Sequence, residues 1–222
     1  MSRINQLYDF IQRSYDDIIR DFLPRRWIVN NGVPARTARL LDKTRHRPNC
    51  KQGTVEALRH YVSPSDRVVV VGGGDGVTAV VAARRAAHVT VYETAKNMTS
   101  VVAETAEINA MNHKITIHHS TVGPAKNVYG DDIGESVAIS NLPACDVLEL
   151  DCEGAEEMII QNLTQTPRVI IIETHPQRGV SIDNLHTILS DMEYETMDVR
   201  FQNKPHVIVG VDPQRESKKE IG

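Results

Sequence analysis

The segment Arg67-Val-Val-Val-Val-Gly72-Gly-Gly-Asp-Gly76 constrains this chain more than any other. Four consecutive valines favour an extended strand, because branching at Cβ restricts χ1 and suits a pleated surface. A strand apolar on both faces has to be covered on both, which requires neighbouring strands and flanking helices. The glycines then end the strand, and Val77 onward reads as a helix. The chain therefore builds an open α/β sheet around residues 67–71.

The alternation continues downstream. Helices are expected over Thr54–Tyr61, Val77–Ala86, Ala95–Ala110, Glu153–Leu163 and Ile182–Met192, and strands over His88–Glu93, Lys114–His119, Asp146–Leu150 and Arg168–Glu173. Residues 123–144 have weak periodicity and carry Asp131-Asp132, which marks a surface insertion. Two last strands, Glu195–Gln202 and His206–Val211, are joined by Asn203-Lys-Pro205, and so short a connection demands antiparallel pairing. The expectation is a seven-stranded, mostly parallel sheet closed by an antiparallel hairpin, with a frayed polar tail from Asp212.

The N-terminal region differs. Apolar residues at Ile4, Leu7, Ile11, Tyr15, Ile18 and Phe22 give a helix over 4–23, ended by Pro24. Its stripe either docks on the main domain or forms a dimer seam, and docking is the expectation. Pro24–His60 carries nine Lys and Arg against Asp42 and Glu56, a local +7 in a chain whose net charge is −4. Three units follow: a helical, basic extension (1–55), a cofactor-binding domain (56–212) and a polar tail (213–222). The net charge excludes a generally basic nucleic-acid binder. Three cysteines (Cys50, Cys145, Cys152) form no closed disulfide framework and lack zinc-site spacing. With no run of 18 apolar residues and a charged start, the expectation is a cytoplasmic protein.

Several residues carry chemistry. The Gly72–Gly76 loop lies where ligands bind in open α/β sheets, and its glycines let a backbone approach a ligand closely. Its Gly-x-Gly-x-Gly spacing favours a nucleoside with an amino-acid tail over a pyrophosphate. Gly72, Gly74, Asp75 and Gly76 are assigned to that ligand, and a tight turn with no ligand is the plainer alternative. Glu93, with Thr94 beside it, ends the second strand 21 residues after Gly72, where a carboxylate can take ribose hydroxyls or cap the next helix. Ser120 and Thr121, beyond the third strand, fall where an adenine pocket would be, or form a turn. Asp151 and Glu153 stand together at a strand end, so one should have a raised pKa or hold a cation. Helix capping is the alternative for Asp151, Glu153 and Glu156. His175 closes the fifth strand and could accept a proton near neutral pH, with Glu173 as its orienting partner or a further acidic ligand.

Five parallel strands closed by a hairpin resemble the Rossmann-like fold of class I S-adenosylmethionine-dependent methyltransferases. Leu148-Glu-Leu-Asp-Cys-Glu-Gly-Ala-Glu156, followed by Val169-Ile-Ile-Ile-Glu-Thr-His-Pro176, resembles the FkbM family of these enzymes. The resemblance covers roughly residues 55–210. It implies methyl transfer to an oxygen of a small molecule or sugar, with Gly72, Gly74 and Gly76 at the methionine moiety, Glu93 at the ribose and Asp151 on the active-site floor. Asp151, Glu153 or His175 would be the base, with a divalent cation as an option and no metal ligand assigned. Methyltransferases of this fold commonly carry Asp two residues before the first loop glycine, where this chain has Val70.

Three other readings compete. The loop is close to that of spermidine synthases, which transfer an aminopropyl group from decarboxylated S-adenosylmethionine, although those enzymes carry an Asp-Pro-rich segment where this chain has Cys152-Glu-Gly. RNA methylation would use the basic segment for phosphates and Trp27 for stacking. A binding module without catalysis is the third, since fold alone does not fix function.

Overall fold

A computed structural model of the chain describes residues 15–19, 22–40, 48–123, 133–200 and 206–219. Its strands are β1 (Arg25–Asn30), β2 (Val33–Arg39), β3 (Arg67–Val71), β4 (His88–Glu93), β5 (Ile115–Val122), β6 (Glu135–Val137), β7 (Val147–Leu150), β8 (Val169–Glu173), β9 (Glu195–Val199) and β10 (Val207–Val211). Its helices are α1 (Gln52–Tyr61), α2 (Val77–Ala83), α3 (Lys96–Ile108), α4 (Glu156–Gln161), α5 (Ile182–Asp191) and α6 (Pro213–Lys219). Eight strands make one sheet in the order β6-β5-β4-β3-β7-β8-β10-β9. Those from β6 to β8 run parallel, and β10 is antiparallel to both β8 and β9.

The valine run sits at the centre of this sheet, as its two apolar faces demand. Val68 and Val70 pack with Val55, Leu58, Val80 and Val102 on one side. Val69 and Val71 pack with Leu148, Ile159, Leu185 and Leu189 on the other. Ile170, Ile171 and Ile172 of β8 are fully buried, each stabilising the fold by roughly 1.5–3 kcal/mol through water exclusion.

Four features differ from the sequence reading. The expected surface insertion contains β6, which pairs with β5 and makes an eighth strand. Strand β5 runs on to Val122, so Ser120 and Thr121 lie inside it and pair with Glu135 and Ser136 rather than following it. The expected helix over Glu153–Leu163 is only Glu156–Gln161. The tail is ordered through Lys219: Asp212 accepts the amides of Gln214 and Arg215 at the start of α6, and Glu216 pairs with the buried Arg168.

The N-terminal extension also departs from the expected all-helical form. Residues 25–39 form an antiparallel strand pair joined by Asn31-Gly32, both at positive φ (51° and 76°), as the right-handed twist of a two-residue hairpin requires. The helix expected over 4–23 lies mostly outside the described residues, and its Tyr15–Ile19 forms a π-helical turn. Two of the nine basic residues of Pro24–His60, Arg25 and Arg36, pair internally with Glu104 of α3. Trp27 is exposed, with the Arg36 guanidinium 5.4 Å from its ring centre. Among the described residues, no helix is long and apolar enough to cross a membrane.

Candidate active site

The carboxyl ends of β4, β3, β7 and β8 stand side by side and bring Glu93, the Gly72–Gly76 loop, Asp151 and Glu173 into one row. The loop crosses the next strand end at close range. Gly72 has φ +95°, and a Cβ placed on it would lie 1.9 Å from the Asp151 carbonyl oxygen. Hydrogen bonds fix the crossing from both sides: Gly72 donates its amide to Tyr92 O and Asp151 donates to Val71 O, both at 2.9 Å. Only glycine permits that approach.

Glu93 is buried and holds the loop with its carboxylate. Oε2 accepts the Gly74 amide and Oε1 accepts the Ala95 amide at the start of α3, both at 2.9 Å. Each oxygen retains a further lone pair for a ligand hydroxyl. Asp75 faces the helix: its Oδ1 accepts the Val77 amide at 3.2 Å, and Asn30 of the hairpin approaches Oδ2 at 3.4 Å. Gly76 is the left-handed residue that opens α2. Thr94 accepts the Gly134 amide with its carbonyl, and Thr121 makes a long hydroxyl contact of 3.5 Å to Gly134 O. The row thus contains Glu93 and the loop, while Ser120 and Thr121 stand beyond it on β5.

The acidic end is balanced by two cations. Lys51, which no local sequence pattern marks, stands at the start of α1, reaches across the edge and pairs its ammonium with Asp151. Burial alone would push this lysine down, but Asp151, Glu173, Asp75 and Glu149 outweigh burial and hold it well above the ordinary value. His175 is the second cation. Its Nδ1 lies 2.8 Å from Glu156 Oε1, while Nε2 faces Asp151 Oδ1 at 3.4 Å and Glu153 Oε2 at 3.9 Å. Burial opposes its charge, yet the Glu156 hydrogen bond and the nearby carboxylates push it up to about 9. A histidine with that value is protonated at neutral pH and donates from its ring nitrogens.

Glu173 closes β8 beside His175. Burial and the charge of Asp151 push its carboxyl up to about 7, against the opposing influence of Lys51, His175 and a 3.2 Å hydrogen bond from the Thr54 hydroxyl. A buried carboxyl with this value exchanges protons near neutral pH. Glu149 lies beneath, fully buried, register-paired with Val70. It therefore offers a carboxyl one strand over from where the fold commonly places an Asp. Burial pushes it well above the carboxylate range, the Thr78 hydroxyl touches Oε2 at 3.5 Å, and Oε1 has no partner among the described residues. Glu153 has φ +54°, is partly exposed and approaches Arg178 at 3.5 Å. Cys152 and Cys145 are thiols driven upward by burial, Cys145 to about 12, so neither is a thiolate at neutral pH.

Asp151, Glu173 and His175 each offer one ligand atom, all within 4.8 Å of one another. That donor set suits a divalent cation in kind, but the Lys51 ammonium already neutralises Asp151 and His175 carries a proton. The same residues form an internal ion-pair network with Lys51 and Glu156.

No protein-family model matches the chain, and no curated protein matches it in sequence. Solved structures share its fold. Pyrococcus horikoshii TYW2, in complex with MeSAdo, matches with a TM-score of 0.56 at 12% identity, over 85% of this chain and 71% of that one. Ribosomal protein L11 methylase from Lactobacillus delbrueckii subsp. bulgaricus gives 0.53 at 15% identity, over 75% and 79%. Precorrin-6y C5,15-methyltransferase from Geobacter metallireducens gives 0.52 at 13%, over 80% and 93%. The chain has the Rossmann-like methyltransferase fold, with eight strands in its sheet.

Proposed function

We propose that this chain is an S-adenosylmethionine-dependent methyltransferase that methylates an oxygen of a small molecule, the activity that its resemblance to the FkbM family implies. The observation that carries the reading is the row of Glu93, the Gly72–Gly76 loop, Asp151 and Glu173 across four adjacent strand ends. It fits a nucleoside with an amino-acid tail: an acid for the sugar, a side-chain-poor loop for the middle and a charged cluster for the tail. When bound, S-adenosylmethionine supplies a methyl group activated by a sulfonium, whose thioether leaves without protonation.

The chain's own residues do the rest. Glu93 accepts ribose hydroxyls on the lone pairs left by Gly74 and Ala95. The loop glycines leave room for close approach, Asp75 holds the opening turn of α2, and Thr94, Ser120 and Thr121 border the base. Asp151 forms the floor. Glu173 takes the proton of the acceptor hydroxyl, a contribution of about 10²–10⁴-fold for a well-placed base. Protonated His175, steadied by Glu156, faces Asp151 across 3.4 Å.

Calorimetric titration with S-adenosylmethionine tests the reading. Binding by the wild type, weakened at least tenfold by Glu93→Ala, is the expected result. No binding by a folded protein would overturn it.

A further inference from the structure

The Lys51–Asp151 pair bridges the first turn of α1 and the end of β7, at the part of the edge farther from Glu93. In sheet order Glu93 and Asp151 flank the glycine loop, two strands and so about 10 Å apart. The ammonium also lies over the loop itself, 3.3 Å from where a Gly74 Cβ would stand. Around it are Asp151, Glu173, Asp75 and Glu149. Only 16% of the Lys51 side chain and 9% of the Asp151 side chain are accessible, so the pair is a buried feature of the sheet edge and not a surface contact.

An ammonium and a carboxylate held together at the carboxyl edge of the sheet are the charge complement of an α-amino-acid zwitterion. Resting on the methyltransferase reading above, the geometry points to Lys51 as the residue that binds the α-carboxylate of the cofactor's amino-acid tail, with Asp151 taking its α-ammonium. The internal pair opens on binding, and each member exchanges its partner for the matching group of the ligand, so no charge is left uncompensated. A side chain without the carboxylate offers Lys51 nothing and leaves an ammonium facing another ammonium. Lys51 is therefore a specificity-determining residue: it selects S-adenosylmethionine against decarboxylated S-adenosylmethionine. It also argues for methyl over aminopropyl transfer at a loop whose sequence, Gly72-Gly-Gly-Asp-Gly76, is compatible with both.

The test is calorimetric titration of the full chain with S-adenosylmethionine and, separately, its decarboxylated form, in wild type, Lys51→Met and Lys51→Arg. The wild type is expected to prefer the carboxylated ligand at least tenfold. Lys51→Met should reduce that preference to about twofold or less by weakening the carboxylated ligand, and Lys51→Arg should keep most of it. Circular dichroism on each variant separates lost binding from lost folding, and Lys51→Arg supplies the readout if Lys51→Met does not fold. A wild type that binds S-adenosylmethionine with preference unchanged in Lys51→Met overturns the role of Lys51 and leaves the methyltransferase reading intact. A wild type that binds neither ligand overturns both.

Discussion

Gly72→Ala probes the crossing on which the site depends. The added Cβ would stand 1.9 Å from Asp151 O and 2.8 Å from Asp151 C, both backbone atoms that no side-chain rotation can move. Side-chain and backbone atoms do not approach within 3.0 Å at such a position, so the two strand ends must part by more than 1 Å. One hydrogen bond spans that crossing, Asp151 to Val71 O, and another anchors Gly72 on its far side to Tyr92 O; displacing the loop strains both, and losing them costs about 2 kcal/mol together. Holding alanine at φ +95° adds about 1–3 kcal/mol. The expected destabilisation is therefore roughly 3–5 kcal/mol, a fall in Tm of about 10 °C for a chain of this size. Gly32→Ala is the control, since Gly32 shares a positive φ (+76°) but has nothing within 4 Å of its added Cβ. It should lose only about 1–2 kcal/mol. Urea unfolding followed by circular dichroism reads both variants. Equal losses at the two positions would show that the Gly72–Asp151 crossing is not close-packed and would refute the reasoning.

Other predictions follow from the same geometry. His175 is raised to about 9 in the folded chain, so the stability it contributes is complete below its ordinary value near 6.5 and is lost as pH rises through 9. Glu173, raised to about 7, acts in the same direction, because its ionisation between about 4.5 and 7 is harder in the folded state. The urea midpoint should therefore fall from pH 6 to pH 9, and His175→Gln should flatten the upper part of that window; an unchanged slope would contradict the Glu156–His175–Asp151 network. Glu173→Gln should abolish the ionisation near pH 7 in the rate profile once an acceptor is in hand, while leaving S-adenosylmethionine affinity within threefold of wild type; a profile still breaking near 7 would exclude Glu173 as base. Millimolar Mg²⁺ or Mn²⁺ should leave the wild-type Tm unchanged, because Lys51 already neutralises Asp151, and a rise of several degrees would place a metal at Asp151, Glu173 and His175. Glu216→Ala should lower stability by about 1 kcal/mol through its buried partner Arg168, measurable by urea unfolding, whereas no loss would mean α6 contributes nothing to the fold.

The fold was legible where the chain's chemistry is local. Val68–Val71 and Val169–Ile172 are runs that only a doubly covered strand can bury, and the glycines after Val71 mark where the edge opens. The hairpin at 25–39 has its local signal in Asn31-Gly32, while Pro34 and the arginines break the apolar alternation that would mark its strands. Strand β6 is three residues long, with exposed Glu135 and Ser136, and carries no pattern of its own. The site was legible in part. Gly72–Gly76, Glu93 and Asp151 fall at strand ends by spacing alone. Lys51 does not, because its role depends on a contact with a residue 100 positions away. Likewise Glu156 looks like a helix-opening acid until folding turns it onto His175, 19 positions away. The structure of Ser120 and Thr121 depended on a neighbour, β6, that gave no signal.

In the proposed complex the cofactor lies along the row of strand ends from Glu93 to Asp151. Amide resonances of ¹⁵N-labelled protein titrated with S-adenosylmethionine test it most directly. The account predicts saturable shifts at Gly72, Gly74, Glu93 and Asp151, with Gly32 and the amides of α6 unmoved. Shifts confined to other strand ends, or none at millimolar ligand in a folded protein, would contradict it.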